Sequence, residues 1–195
     1  MIIHDFEQGT EEWFKVRLGK FTATDGLTIF NNGKGVETLA FEKASERLTG
    51  KPKAEYTNPD MERGKRLEAI ARNSYELETG NLVKTVGFCE LDEFIGCSPD
   101  GFVEDKGLVE IKCKNDPNYA RYLYDGKIDP EHYMQMQFQM FVTDREWVDY
   151  VVYNENFFKS TKIVRVFRNE TDIAKIKAGL AVGIAQVKDI VEKIK

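Results

Sequence analysis

CSPDGFVEDKGLVEIKCK, residues 97–114, carries the pattern on which the fold and the chemistry turn. Residues 108–113 have the apolar, β-branched character of a buried strand, interrupted by one carboxylate and one ammonium. Side chains alternate across a strand, so Glu110 and Lys112 share a face and Ile111 points the other way. A hairpin between Gly101 and Gly107 brings Asp100, at the turn before it, alongside Glu110. Two carboxylates and an ammonium then converge on one patch.

That set suits phosphodiester hydrolysis. Carboxylate oxygens are ligands for Mg²⁺ or Mn²⁺, which polarise a phosphate and acidify water. A neighbouring lysine orients that water and offsets charge building on phosphorus. An ordinary surface hairpin would give the same spacing, with a Glu–Lys pair worth under ~1 kcal/mol. Charges placed beside Val109 and Ile111 are harder to explain that way, because burying them is costly unless they do something. Glu68 is the next candidate, one helical turn after Gly64, a small residue that lets another backbone or a substrate approach. In HYMQMQFQM (132–140), Gln135, Gln137 and Gln139 are expected on different helix faces, so at least one faces inward or lines a cleft.

Working outward, Thr10 caps a short helix and Thr22 or Thr24 starts another through Phe30. Residues 31–35 form a loop and residues 36–48 a helix closed by Gly50. Asn58 with Pro59 opens a long helix that stops at Gly80, with Met61, Gly64, Leu67, Ala71, Ser74 and Leu77 on its buried side. Residues 82–91, 94–98, 101–104 and 108–113 are expected as an antiparallel meander. Asp129-Pro130 caps a helix to about Val142, residues 147–153 and 162–167 are strands, and residues 171–194 form an amphipathic helix. The expected architecture is one domain over residues 1–195, of mixed α/β class, a central mixed sheet flanked by helices.

Composition narrows the function classes. The net charge of −5 counts mildly against nucleic-acid binding but leaves room for one basic groove. No apolar run approaches the roughly 18 residues of a membrane span, and the start, with Asp5 and Glu7, lacks the basic end of a secretory signal. Three cysteines cannot all pair and fit a reducing cytoplasm. They also cannot supply the four thiolates of an iron–sulfur cluster. Two histidines and unspaced cysteines argue against zinc, and there is no phosphate-binding Walker motif.

Several segments in order resemble one family. They are GTEEWFKVRLGKFTAT (9–24), Gly64 to Glu68, Cys97 to Gly101, Glu110 to Cys113, and Tyr133 to Gln137. Together they are similar to the phage lambda exonuclease type of viral recombination nuclease, within the PD-(D/E)xK superfamily, from about Thr10 to Val142. The resemblance implies a restriction-endonuclease-like core. It implies that Asp100, Glu110 and the Ile111 carbonyl bind two Mg²⁺ ions, for which Mn²⁺ substitutes. Lys112 would position the attacking water, with Glu68 and Gln135 on the second-metal side and in the water network. Arg17, Thr24 and Ser98 would grip a terminal 5′-phosphate. Such enzymes resect one strand of linear duplex DNA from its 5′ end and leave a 3′ overhang for a single-strand annealing protein. The best-known member is a ring-shaped trimer, whose basic lining here would draw on Lys15, Arg63, Lys65 and Arg66. If phage-encoded, the chain would act in the host cytoplasm. Thr24 stands where the lambda enzyme has serine and Lys114 where it has proline, and this chain is shorter. An endonuclease on the same scaffold has no use for an end-gripping Arg17. A non-catalytic DNA-binding protein has no use for the full set of Glu68, Asp100, Glu110 and Lys112.

Overall fold

In the computed structural model, which describes residues 1–53 and 58–195, the chain begins with β1 (Ile2–His4), α1 (Glu11–Arg17), a 3-10 turn (Ala23–Asp25), α2 (Gly26–Asn31) and α3 (Lys34–Thr49). There follow α4 (Pro59–Thr79), β2 (Val83–Lys84), β3 (Phe88–Glu90), β4 (Gly96–Cys97), β5 (Gly101–Val103) and β6 (Gly107–Cys113). The chain closes with α5 (Asp116–Asp125), α6 (Pro130–Thr143), β7 (Trp147–Tyr153), β8 (Thr161–Phe167) and α7 (Glu170–Ile194). Helix starts follow their capping side chains. Thr10, Asn58 and Asp129 accept from Trp13, Met61 and Glu131 N–H groups, and Gly80 ends α4 in the left-handed region.

The main sheet is mixed, in the order β2-β5-β6-β7-β8, with β6 and β7 parallel and the other pairs antiparallel. The parallel pair is joined by the crossover through α5 and α6, as parallel strands require. Strand β6 is thus central, and its alternation sorts the two faces. Leu108 belongs to a large core with Ile29, Met136, Phe138, Tyr150 and Leu180. Val109 and Ile111 belong to a second core, under α4, with Ala71, Tyr75, Trp147 and Val151. Among the described residues no helix is long and apolar enough to cross a membrane, and all three cysteines are free.

Several expectations need correction. The strand expected over residues 82–91 is two strands, β2 and β3, in different sheets. The chain changes sheet at Gly87, whose N–H donates to the His4 carbonyl. A Cβ there would fall 2.1 Å from the Phe6 carbonyl oxygen, so only glycine allows the approach. Strands β1, β3 and β4 form their own three-stranded sheet, so there is no single meander. The loop expected over residues 31–35 is shorter, because α3 already starts at Lys34. Helix α5 was not expected, although Asn115 caps it and Pro117 lies in its first turn. On α4, Met61 and Leu77 are exposed rather than buried. The packed ridge is Leu67, Ala71 and Tyr75, spaced four apart. Tyr75 is drawn in because its hydroxyl donates to Asp149 Oδ2 on β7 at 2.7 Å, and Arg165 grips both oxygens of that carboxylate.

Helix α7 packs against α2 through Gly179, where a Cβ would lie 2.0 Å from the Ile29 carbonyl oxygen. Gly179→Ala should therefore push the two helices apart and cost about 1–3 kcal/mol, as overpacking does. Thermal unfolding reads this as a lowered midpoint; an unchanged midpoint would contradict the close packing.

Candidate active site

Asp100 lies immediately before β5. The register of β5 on β6 pairs Gly101 with Val109, and one step further sets Asp100 against the Glu110–Ile111 segment. Its Oδ2 accepts the Ile111 N–H at 2.6 Å. Glu110 is only 1% exposed. Lys112 Nζ lies 2.7 Å from Glu110 Oε1 and donates to Gln135 Oε1 at 3.2 Å. Asp100, Glu110, Ile111, Lys112 and Gln135 thus meet at one place, where β6 faces α6. Glu68, on α4, is half-buried and paired with Arg72 at 2.7 Å. It shares the wall of a cleft of ≈ 1000 Å³ with Asp100, Trp13, Lys65, Arg66 and Arg72.

The electrostatics follow from crowding carboxylates around one lysine. Burial, and then the negative charges of Glu110 and Glu68, push the Asp100 carboxyl well above the usual carboxylate range. Burial alone would depress Lys112, but Glu110 and Asp100 more than offset it and hold the ammonium above its ordinary value. Beside them, burial and the positive charges of Lys112 and Lys114 bring His132 down to about 4. It stays neutral and meets the Tyr150 hydroxyl at 2.8 Å.

Ser98 accepts from Trp13 Nε1 at 2.9 Å, and the Arg17 guanidinium stacks over the Trp13 ring at 3.9 Å. Arg17, Trp13 and Ser98 are therefore one assembly, and its Trp13 lines the same cleft as Asp100 and Glu68. Thr24 does not begin a helix. It sits inside the 3-10 turn that starts after Thr22, is exposed, and faces the Thr22 hydroxyl at 3.0 Å. Asp25 takes the Thr22 N–H instead and closes that turn. Of the basic residues expected to line a ring, Lys15 pairs with Glu11. Arg63 is bound to the Cys113 and Lys114 carbonyls and to Glu155, whereas Lys65 and Arg66 line the cleft.

The three glutamines do not all diverge. Gln135 and Gln139 are four apart on α6 and share a face, as the helical period requires. Gln139 is fully buried, and its Nε2 donates to Glu110 Oε2 at 2.7 Å. Gln137 faces away and bonds the Phe167 carbonyl and the Asn169 N–H. The contact of Gln139 with Glu110 was missed; its spacing from Gln135 was the available signal.

As a metal centre, the donor set is hard oxygen: Asp100 and Glu110, with Glu68 in the adjoining wall. It suits Mg²⁺, which binds one or two carboxylates and completes its shell with water and phosphate. Among the described residues, no three His, Cys, Asp or Glu side chains already stand at metal-holding spacing.

Residues 12–146 match the model of the YqaJ-like viral recombinase domain. The chain is 35% identical to an alkaline exonuclease, LHK-Exo, from Laribacter hongkongensis, with a TM-score of 0.88 over 95% of this chain and 96% of that one. A structure of LHK-Exo in complex with dAMP matches equally well, at 36% identity. A phage related exonuclease from Haemophilus somnus shares the fold, with a TM-score of 0.68 at 17% identity over 90% of this chain and 96% of that one. An uncharacterized protein of Acanthamoeba polyphaga mimivirus is 29% identical over 76% of this chain, which spans about 29% of that protein's length.

The raised Asp100 carboxyl has a stability consequence. A folded-state pKa above the unfolded value means that the ionised form destabilises the fold. That penalty grows as pH rises through the folded pKa and is absent below the unfolded value of about 3.9. Asp100→Asn should raise the thermal midpoint of metal-free protein at neutral pH, by about 2–4 °C per kcal/mol recovered. The gain should vanish toward pH 3; a variant less stable than wild type at pH 7 would contradict it.

Proposed function

The chain belongs to the YqaJ-like viral recombinase family, and from that premise we propose that it is a Mg²⁺-dependent exodeoxyribonuclease that resects duplex DNA from the 5′ end. The observation that carries this is the meeting of Asp100, Glu110, Lys112 and Gln135 beside a cleft that holds Glu68 and basic side chains. Identity to LHK-Exo over nearly the full length of both chains adds weight. Asp100 and Glu110, with the Ile111 carbonyl, would hold one Mg²⁺ and Glu68 would serve a second, with Mn²⁺ as a substitute. The ions would supply Lewis-acid polarisation of the scissile phosphate. Lys112 keeps its proton and so orients a water and answers negative charge developing on the phosphate. Gln135 holds that ammonium in place.

Arg17 and Ser98, joined through Trp13, would bind the terminal 5′-phosphate, with the hydroxyl of the exposed Thr24 as a further donor. A guanidinium suits bidentate phosphate contact. The product would be a 3′ overhang for a single-strand annealing protein. Residues 1–195 would act as one nuclease domain, three copies forming a ring around the DNA, in the host cytoplasm if the chain is phage-encoded.

Lys112→Ala should lower the thermal midpoint, since Glu110 loses its ion-pair partner, and, assayed well below that midpoint, should lose cleavage by about 10²-fold or more, as removal of a charge stabiliser does. A variant keeping over a tenth of wild-type kcat, roughly 1.4 kcal/mol of barrier, would refute the catalytic assignment. Duplex carrying a 5′-phosphate should be cut faster than the same duplex with a 5′-hydroxyl. Arg17→Ala should erase that difference by slowing the phosphorylated substrate alone. Equal rates on both ends in the wild type would remove the pocket.

A further inference from the structure

Glu110 is held at both oxygens. Lys112 Nζ sits 2.7 Å from Oε1, and Gln139 Nε2 sits 2.7 Å from Oε2. Lysine is a flexible point charge that here also serves Gln135. The second donor comes from the middle of α6, where Gln139 is fully buried.

The other end of the Gln139 amide is informative. Its Oε1 is buried with no hydrogen-bond partner among the described residues. A buried acceptor left unpaired destabilises the fold, because it has given up water for nothing. Turning the amide over would set Oε1 against the Glu110 carboxylate, which has no proton to offer when ionised. Methionine would fill the same helix position with no unpaired acceptor of its own, and would leave Glu110 Oε2 without this donor. Gln137 makes the contrast. It is equally buried, but both of its amide atoms are bonded, at the junction of β8 and α7, which is a structural use. Gln139 retains an unpaired acceptor in order to present its N–H to one carboxylate.

We propose that Gln139 is a positioning residue for the cleavage reaction: its N–H fixes the rotamer of Glu110 so that this carboxylate is preset for a divalent cation. The proposal rests on the nuclease reading above. Gln139 acts through Glu110 and need not touch substrate. Partners that orient metal-ligating groups typically matter by about 10–100-fold in metal affinity or activity.

The test uses the full chain and Mn²⁺ as the probe. Gln139→Met keeps the volume and removes the donor; Gln139→Leu is the second variant. Calorimetric titration without DNA should show Mn²⁺ affinity weakened by about 10–100-fold. The thermal midpoint should fall by no more than the loss of one hydrogen bond to a buried carboxylate explains, kcat on 5′-phosphorylated linear duplex should drop, and KM for that duplex should stay unchanged. A folded variant with wild-type Mn²⁺ affinity overturns the proposal. So does loss of affinity accompanied by a collapsed midpoint in both variants, which is what a packing role would give. The wild-type chain distinguishes the two levels. If it cuts no DNA with Mg²⁺ or Mn²⁺, the nuclease reading fails; if it cuts and the Gln139 variants keep wild-type Mn²⁺ affinity, the role of Gln139 alone fails.

Discussion

A carboxylate with 1% of its surface exposed cannot sit in the central strand of a sheet unless its charge is answered. In this chain Glu110 is answered from its own strand by Lys112 and from α6 by Gln139. The surrounding fold serves that requirement. The parallel pairing of β6 with β7 sets Tyr150 beside Glu110, and the crossover returns α6 over the same face. Residues of one strand and one helix therefore define the centre, while a hairpin supplies Asp100. Rigid elements place side chains more tightly than loops do.

The arrangement is electrostatically unfavourable in part. Asp100, Glu110 and Glu68 lie near a single half-buried ammonium, and burial together with the neighbouring carboxylates drives Asp100 upward. Stability is given up where like charges are kept together, a common property of sites that bind cations. The opposite face carries no such conflict. There Val109 and Ile111 pack under α4, and the Tyr75–Asp149–Arg165 network is satisfied by close contacts. One strand thus has a face of satisfied packing and a face of crowded charge, separated by its two-residue period.

This division explains what was legible in the sequence. The convergence of Glu110 with Lys112, and of Asp100 with both, follows from strand alternation and one hairpin, which are local rules. Helix α4 was legible from Asn58, Pro59 and Gly80 because caps act within a turn. Other features depend on partners distant in the chain. The break at Gly87 exists because residues 4–6 pass close by, and Tyr75 is buried because Asp149 awaits it. Of the two threonines that could start the helix, Thr22 caps the turn and Thr24 lies within it, because Asp25 closes the turn on Thr22. Helix α5 was overlooked even though Asn115 and Pro117 repeat the same local signal. Gln139 was within reach, since its spacing from Gln135 fixes a shared face, but only the approach of β6 shows which carboxylate that face meets.

End-dependent, metal-dependent cleavage distinguishes this chemistry from its alternatives in one experiment. Linear and covalently closed circular duplex DNA are incubated with the protein in Mg²⁺ or in EDTA, and the products are resolved by size. Progressive degradation of the linear duplex in Mg²⁺, with circles intact and no reaction in EDTA, is the expected result. Cutting of closed circles, or degradation of linear duplex in EDTA, would contradict an end-gripping, metal-dependent exonuclease.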